Sequence, residues 1–196
     1  MKNGYVYTLV FILVLSATFG GLLAGANALL RPTIEQNALV AEKRSVLYAF
    51  GLDDSGTPQV VSERFTDLIR EETIDGLDVY AWQENGQVAG YAVPFSGAGL
   101  WGTIRGYLAV SADLETVLGL TFVEQNETPG LGGRIDEPDY KEQFRNISID
   151  LQRGFAYGAD GGGQIDAIAG ATSTSRAVLQ ILNNLLFQTL AEWGVS

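Results

Sequence analysis

Asp78-Val-Tyr-Ala-Trp-Gln-Glu-Asn-Gly-Gln-Val-Ala-Gly-Tyr-Ala-Val93 settles the architecture of the soluble part of the chain. Its two runs, Val79–Gln83 and Val88–Val93, are rich in β-branched and aromatic residues and flank Asn85-Gly86. Both turn residues accept positive φ, which a two-residue connection between twisted strands demands. An antiparallel hairpin is predicted. Two further strands are predicted at about Thr103–Val110 and Thr116–Val123, joined by a turn through Ser111 to Glu115. Helical patterns lie before and after this block, so the expected class is α+β, a mainly antiparallel sheet with flanking helices.

Upstream, no charged residue occurs between Lys2 and Arg31, and Tyr5 to Leu30 is rich in Leu, Val, Ile and Phe. About 20 apolar residues suffice to cross a bilayer, which predicts a single transmembrane helix. Ala24-Gly-Ala26 also resembles a signal-peptidase site, but the run exceeds the roughly 7–15 residues of a signal h-region, which favours the retained anchor. Gly20, Gly21 and Gly25 suit close helix approach within a membrane. Pro32 lacks an N–H and clashes with the preceding turn, so the helix is expected to break or kink there. A second helix is expected from about Thr33 to Phe50, with Gly51 as its C-terminal cap. The predicted domains are an anchor over 1–31 and a soluble domain over 32–196. Asp53-Asp-Ser-Gly-Thr-Pro58 reads as a turn cluster whose carboxylates are solvated.

Downstream, Val178, Ile181, Leu182, Leu185, Leu186 and Leu190 fall on one face of a 3.6-residue repeat and predict a C-terminal helix. Asp166-Ala-Ile-Ala-Gly-Ala-Thr-Ser-Thr-Ser175 runs into its start. Two readings fit. Thr172 to Ser175 supply four hydroxyls, any of which makes an ordinary N-cap. Alternatively, the free N–H groups and positive dipole end hold a phosphate, with Gly170 and Ala171 small enough to let the backbone approach it. Glu127-Thr-Pro-Gly-Leu-Gly-Gly133 places Pro and Gly where a tight turn wants them, ahead of a short helix at about Pro138–Phe144.

Composition removes several function classes. A net charge of −11 argues against nucleic-acid binding, which wants a basic patch. With no Cys there is no disulfide, thiolate zinc site or iron–sulfur cluster, and with no His the commonest metal ligand and general base is missing. Redox chemistry here would need an organic cofactor.

Asp166-x-x-Ala-Gly-Ala-Thr172 resembles the flavinylation signal of the RnfG/NqrC family, usually Asp-x-x-(Ser/Thr)-Gly-Ala-Thr. Glu127-Thr-Pro-Gly-Leu-Gly132, Gly99-Leu-Trp101, Gly106-Tyr-Leu-Ala-Val110 and the single N-terminal apolar segment resemble the family in the same order. The resemblance implies an FMN-binding domain on the outer side of the cytoplasmic membrane, with FMN esterified through its phosphate to Thr172. It implies a seat built from Gly170, Ala171, Ser173, Thr174 and Asp166 at the helix start, with Glu127, Thr128, Gly130 and Leu131 along the ring edge. Trp101 has two readings, a stacking surface for the ring or ordinary core packing. Tyr157 precedes the Gly loop and is a further candidate to reach the site. Three N–H groups following Thr172 are expected to face the phosphate. The implied partners are a flavin transferase using FAD and the other membrane proteins of an Rnf or sodium-pumping NADH:quinone complex. Ala169 departs from the motif's hydroxyl residue. Two other classes fit the same residues: a membrane-anchored module holding an anionic ligand reversibly, and an assembly protein without cofactor.

Overall fold

The computed structural model describes residues 2–158 and 163–193. The Gly161 and Gly162 part of the Gly-rich run lies outside them. The chain divides into two compact units, Met1–Val40 and Ala41–Ser196.

The long helix α1, Lys2–Phe50, carries the whole uncharged stretch within the first unit and passes through Pro32 without interruption. The break expected at Pro32 is absent. Proline deletes one N–H and so one bond to the preceding turn, while the neighbouring residues keep theirs. An 18-residue window of this helix has a mean hydropathy of 2.2 and none of it is buried, so it is long and apolar enough to cross a membrane. Partial burial begins at Val40 and full burial at Val46.

The last turns of α1 belong to the second unit and end as the sequence predicts. Gly51 takes φ +74°, its N–H donates to the Tyr48 carbonyl at 2.9 Å, and Leu52 N–H reaches Leu47 at 2.9 Å. This paired closure satisfies the orphan carbonyls of a helix end. Arg145 secures the same turn, donating to the Tyr48 carbonyl at 2.7 Å and to the Leu118 carbonyl at 2.8 Å. Asp53 in the next loop accepts from Ser55 N–H at 3.0 Å and pairs with Arg64 at 2.8 Å.

Six strands form one antiparallel sheet in sequence order: β1 Ile69–Ile74, β2 Leu77–Glu84, β3 Gln87–Ala98, β4 Thr103–Ser111, β5 Thr116–Glu124 and β6 Ile147–Ser148. The Asn85-Gly86 turn has φ of 51° and 80°, the mirror-image geometry expected of it. Asp75-Gly76 repeats this at 50° and 81° and joins β1 to β2, a hairpin absent from the expected elements although Asp-Gly carries the same signal. Helix α2, Pro58–Leu68, is likewise an addition to them; Thr57 caps it by accepting from Val60 N–H, and Pro58 opens it.

The short helix α3, Pro138–Lys141, brings Tyr140 into the core. Helix α4, Thr172–Leu185, continues through a π-helical turn at Leu186–Leu190 and lays its apolar stripe on one face of the sheet. All six predicted residues, Val178 to Leu190, are buried with Val93 and Phe95 of β3, Leu108 of β4 and Leu120 and Phe122 of β5. Each such side chain contributes about 1.5–3 kcal/mol through burial. On the opposite face, Phe50 packs on Trp82, and Phe65 and Tyr107 pack edge-on against Tyr80.

Tyr80 and Tyr107 both donate to Glu42, at 3.4 and 2.6 Å. Burial, then the negative charge of Glu42, pushes the Tyr80 phenol up to about 12; burial and its bond to Glu42 push Tyr107 up as well. The folded state therefore holds these protons above the ordinary phenol value of 10.0. Stability from this pair is complete below that value and is lost as pH rises through the folded value. Thermal melts from pH 9 to 12 should show constant stability up to about 10 and a decline beyond it, which the double variant Tyr80→Phe, Tyr107→Phe makes shallower.

Candidate functional site

Two turns face each other beside the start of α4. In the first, Leu131 N–H donates to the Thr128 carbonyl at 3.1 Å around Pro129 and Gly130, whose φ is +74°. Pro at the second position and a positive-φ Gly at the third define a type II turn, as the sequence predicts. In the second, Ala171 N–H donates to Ile168 at 3.0 Å around Ala169 and Gly170, whose φ is +81°. A Cβ on Gly170 would lie 3.6 Å from Leu131 Cδ2, so the turns touch.

The N-cap of α4 is Ala171, with φ −127° and ψ 41°, and no side chain caps the helix. The ordinary hydroxyl-cap reading is thereby overturned: the four hydroxyl residues all follow the cap. Ser175 N–H closes the first intrahelical bond to Ala171 at 3.0 Å. The N–H groups left over are those of Thr172, Ser173 and Thr174, one residue earlier than the three expected after Thr172. Thr172 and Ser173 are exposed, whereas Thr174 and Ser175 are 2% and 0% exposed. Their hydroxyls are engaged: Thr174 donates to Glu127 at 2.6 Å, and Ser175 accepts from Ile168 N–H at 3.1 Å.

The opening between these elements is a cleft of about 470 Å³, lined by Leu100, Trp101, Glu127, Thr128, Leu131, Gly132 and Gly170 to Thr174. That size lies within the range of small-molecule sites, roughly 300–1,000 Å³. Its rim is apolar: Leu100, Trp101 and Leu131 are 55%, 69% and 47% exposed. Trp101 therefore does not pack in the core. A cavity of about 460 Å³ elsewhere in this unit is bordered by Glu42, Glu71, Glu72 and Asp78, whose charge repels phosphate.

Most residues assigned to a site from sequence converge on the cleft. Two do not line it. Gly130 shapes its turn from outside, and Asp166, exposed, is held through its main-chain N–H by Gln143 Oε1 at 2.6 Å. Tyr157 does not reach the cleft either: it is buried behind α4, donating to the Ser175 carbonyl at 2.7 Å and bonded to Tyr140 at 2.8 Å. Burial pushes the phenols of both tyrosines up. Ala169 is exposed at a turn corner and is not among the residues that line the cleft.

The role of Glu127 was not visible in its motif. Its Oε1 accepts from the N–H groups of Leu100 at 2.8 Å and Trp101 at 3.0 Å, while Oε2 takes the Thr174 hydroxyl. One carboxylate thus joins the β3–β4 turn, the Pro-Gly turn and α4. Burying a charge is tolerated because all three donors meet it.

The FMN-binding domain family profile matches residues 99–186, which carry β4 to β6, both turns of the cleft and α4. The NqrC protein of the Na(+)-translocating NADH-quinone reductase of Pseudomonas aeruginosa is 28% identical over 90% of this chain and 89% of its own length. The RnfG-type protein of an ion-translocating oxidoreductase complex of Methanosarcina acetivorans is 32% identical over 73% of this chain and 65% of its own. The crystal structure of the corresponding NqrC protein of Parabacteroides distasonis superposes with a TM-score of 0.71 at 25% identity, covering 85% of this chain and 98% of that one. The chain belongs to the NqrC/RnfG family, whose members are components of ion-translocating oxidoreductase complexes.

The crowding around Glu127 is testable. A Cβ on Gly132 would stand 2.4 Å from Thr174 Oγ1 and 2.9 Å from Glu127 Oε2. Gly132→Ala should lower stability by about 1–3 kcal/mol in chemical denaturation, because it forces two hydrogen-bonded, buried groups apart.

Proposed function

We propose that the chain is the electron-transfer component of a membrane ion-translocating oxidoreductase complex and carries FMN esterified through its phosphate to Thr172. The observation that carries this reading is the start of α4. Thr172 is its first residue, exposed, beside three N–H groups without intrahelical acceptors and at the edge of the apolar cleft. These donors suit a phosphate ester at Thr172, and the walls of Leu100, Trp101 and Leu131 suit a planar ring. FMN would supply the redox chemistry that a chain without Cys or His lacks.

Attachment needs outside help. A threonine hydroxyl is a weak nucleophile at neutral pH, and none of the cleft-lining residues beside Thr172 is a free base, since the Glu127 carboxylate is bonded to three donors. A separate flavin transferase would join the Thr172 oxygen to the FMN phosphorus of FAD, breaking the pyrophosphate bond and releasing AMP, with the hydroxyl proton lost to the transferase. The chain's own residues then orient the ring and restrict water around it. Selection among the hydroxyls follows from exposure: Thr174 and Ser175 are buried and bonded, which leaves Thr172 and Ser173.

The expected result is a tryptic peptide ending at Arg176 that carries the mass of FMN less one water, with the adduct on Thr172. Thr172→Ala should abolish covalent flavin in cells with active transferase. It should change stability by no more than about 0.5 kcal/mol, because Thr172 is an exposed residue and not the cap. An adduct on Ser173, or an unmodified wild-type peptide, overturns the assignment.

The same reading puts α1 in the cytoplasmic membrane and residues 41–196 on its outer side. Because the chain has no Cys, Gln87→Cys in the exposed Asn85-Gly86 hairpin gives a single labelling site. A membrane-impermeant maleimide should label it in intact spheroplasts, with the protein retained in carbonate-washed membranes. Labelling only after lysis would reverse the orientation.

A further inference from the structure

Glu127 is 5% exposed, and both of its carboxylate oxygens are occupied by the protein. Oε1 holds two main-chain N–H groups and Oε2 the Thr174 hydroxyl, while its own N–H is tied to Gln125 Oε1 at 2.8 Å. The surroundings are tight. A Cβ on Gly99 would fall 2.5 Å from Oε1, and one on Gly132 would fall 2.9 Å from Oε2. These contacts are with two protein segments that both line the cleft. On one wall the bonds hold the turn bearing Leu100 and Trp101, whose side chains stay exposed at the rim. On the other they reach the third residue of α4, two residues from Thr172.

We propose that Glu127 is a positioning residue for the flavin: it sets the spacing between the Leu100-Trp101 turn and the start of α4, and so the width and tilt available to the ring. The inference rests on the reading that the cleft seats FMN attached at Thr172. Geometry, and not the negative charge as such, is what the role requires. A glutamine can reproduce it, because its carbonyl oxygen accepts from both main-chain N–H groups while its amide donates to Thr174, whose hydroxyl then serves as acceptor. An alanine leaves both N–H groups and the hydroxyl without their partner.

The full-length membrane protein is made as wild type, Glu127→Ala, Glu127→Gln and Thr174→Val. Preparations from cells lacking flavin transferase are compared by amide hydrogen exchange at Leu100 and Trp101; preparations from cells containing it are compared by visible circular dichroism and iodide quenching of the attached flavin. Glu127→Ala should speed exchange at the two amides on the order of tenfold, change the flavin dichroism and raise quenching. Glu127→Gln should stay within about twofold of wild type in every readout. Thr174→Val should leave the two amides protected, since Oε1 still holds them, yet alter the dichroism, since the first turn of α4 loses its bond to Glu127. Wild-type dichroism and exchange in Glu127→Ala would overturn the proposal, and so would Glu127→Gln disturbed as strongly as alanine, which would assign the effect to charge. Should Glu127→Ala fail to fold, the remaining pair decides: altered dichroism in Thr174→Val with none in Glu127→Gln supports the role, and the reverse overturns it. A wild-type protein that acquires no flavin would sink the esterification reading alone, while the exchange comparison still tests the clamp.

Discussion

One buried carboxylate holds together the part of this domain where chain segments from far apart must meet. Glu127 bonds the Leu100-Trp101 turn and Thr174, segments 26 to 47 residues away from it in sequence. Isolated in a low-dielectric interior, such a charge would be costly; with three donors on two oxygens it becomes a short, directional link. The nearby glycines follow from it. At Gly99 and Gly132 any side chain would intrude on the carboxylate, so these positions have to be bare. The Pro-Gly turn, the rim and the first turn of α4 meet at this junction.

The rest of the second unit supplies a rigid frame for that junction. The sheet presents Val93, Phe95, Leu108 and Leu120 to the stripe on α4, which fixes the helix axis. Behind the helix start, the bond from Tyr157 to the Ser175 carbonyl and that from Ile168 N–H to the Ser175 hydroxyl fix where α4 begins. The start is thus buttressed from behind by side chains and open in front, with its leading N–H groups uncapped. That asymmetry suits a ligand that completes the helix end.

What could be read from the sequence was local. The stripe from Val178 to Leu190, the Asn85-Gly86 turn, the Pro129-Gly130 turn and Gly51 each depend on neighbours within a few residues, where periodicity and permitted φ decide the outcome. Strand β1, Ile-Arg-Glu-Glu-Thr-Ile, lies at the sheet edge with its charges in solvent and lacks the alternation of a half-buried strand. Strand β6 is two residues long and exists only through its pairing with β5. Helix α2 was hidden because its buried residues are just Val61 and Phe65. At the site, the convergence of Trp101, Thr128, Leu131 and the Gly170–Thr174 stretch was legible only through resemblance. The capping residue was not legible, because four hydroxyls compete on paper for a place that the turn geometry gives to Ala171.

The order of the strands has a consequence for how the domain comes into being. Strands β1 to β5 are joined to their neighbours by short connections, so pairing proceeds between segments adjacent in sequence and loop closure costs little. Helix α4 is different: it is made last and must return over β3, some 80 residues away, to cover the apolar side. Until it docks, the sheet is one-sided and prone to stick to other chains. The same docking brings Thr174 to Glu127 and stands Thr172 at the cleft. Completion of the core and completion of the site are therefore a single late event, and a chain shortened from its C-terminal end forfeits both together.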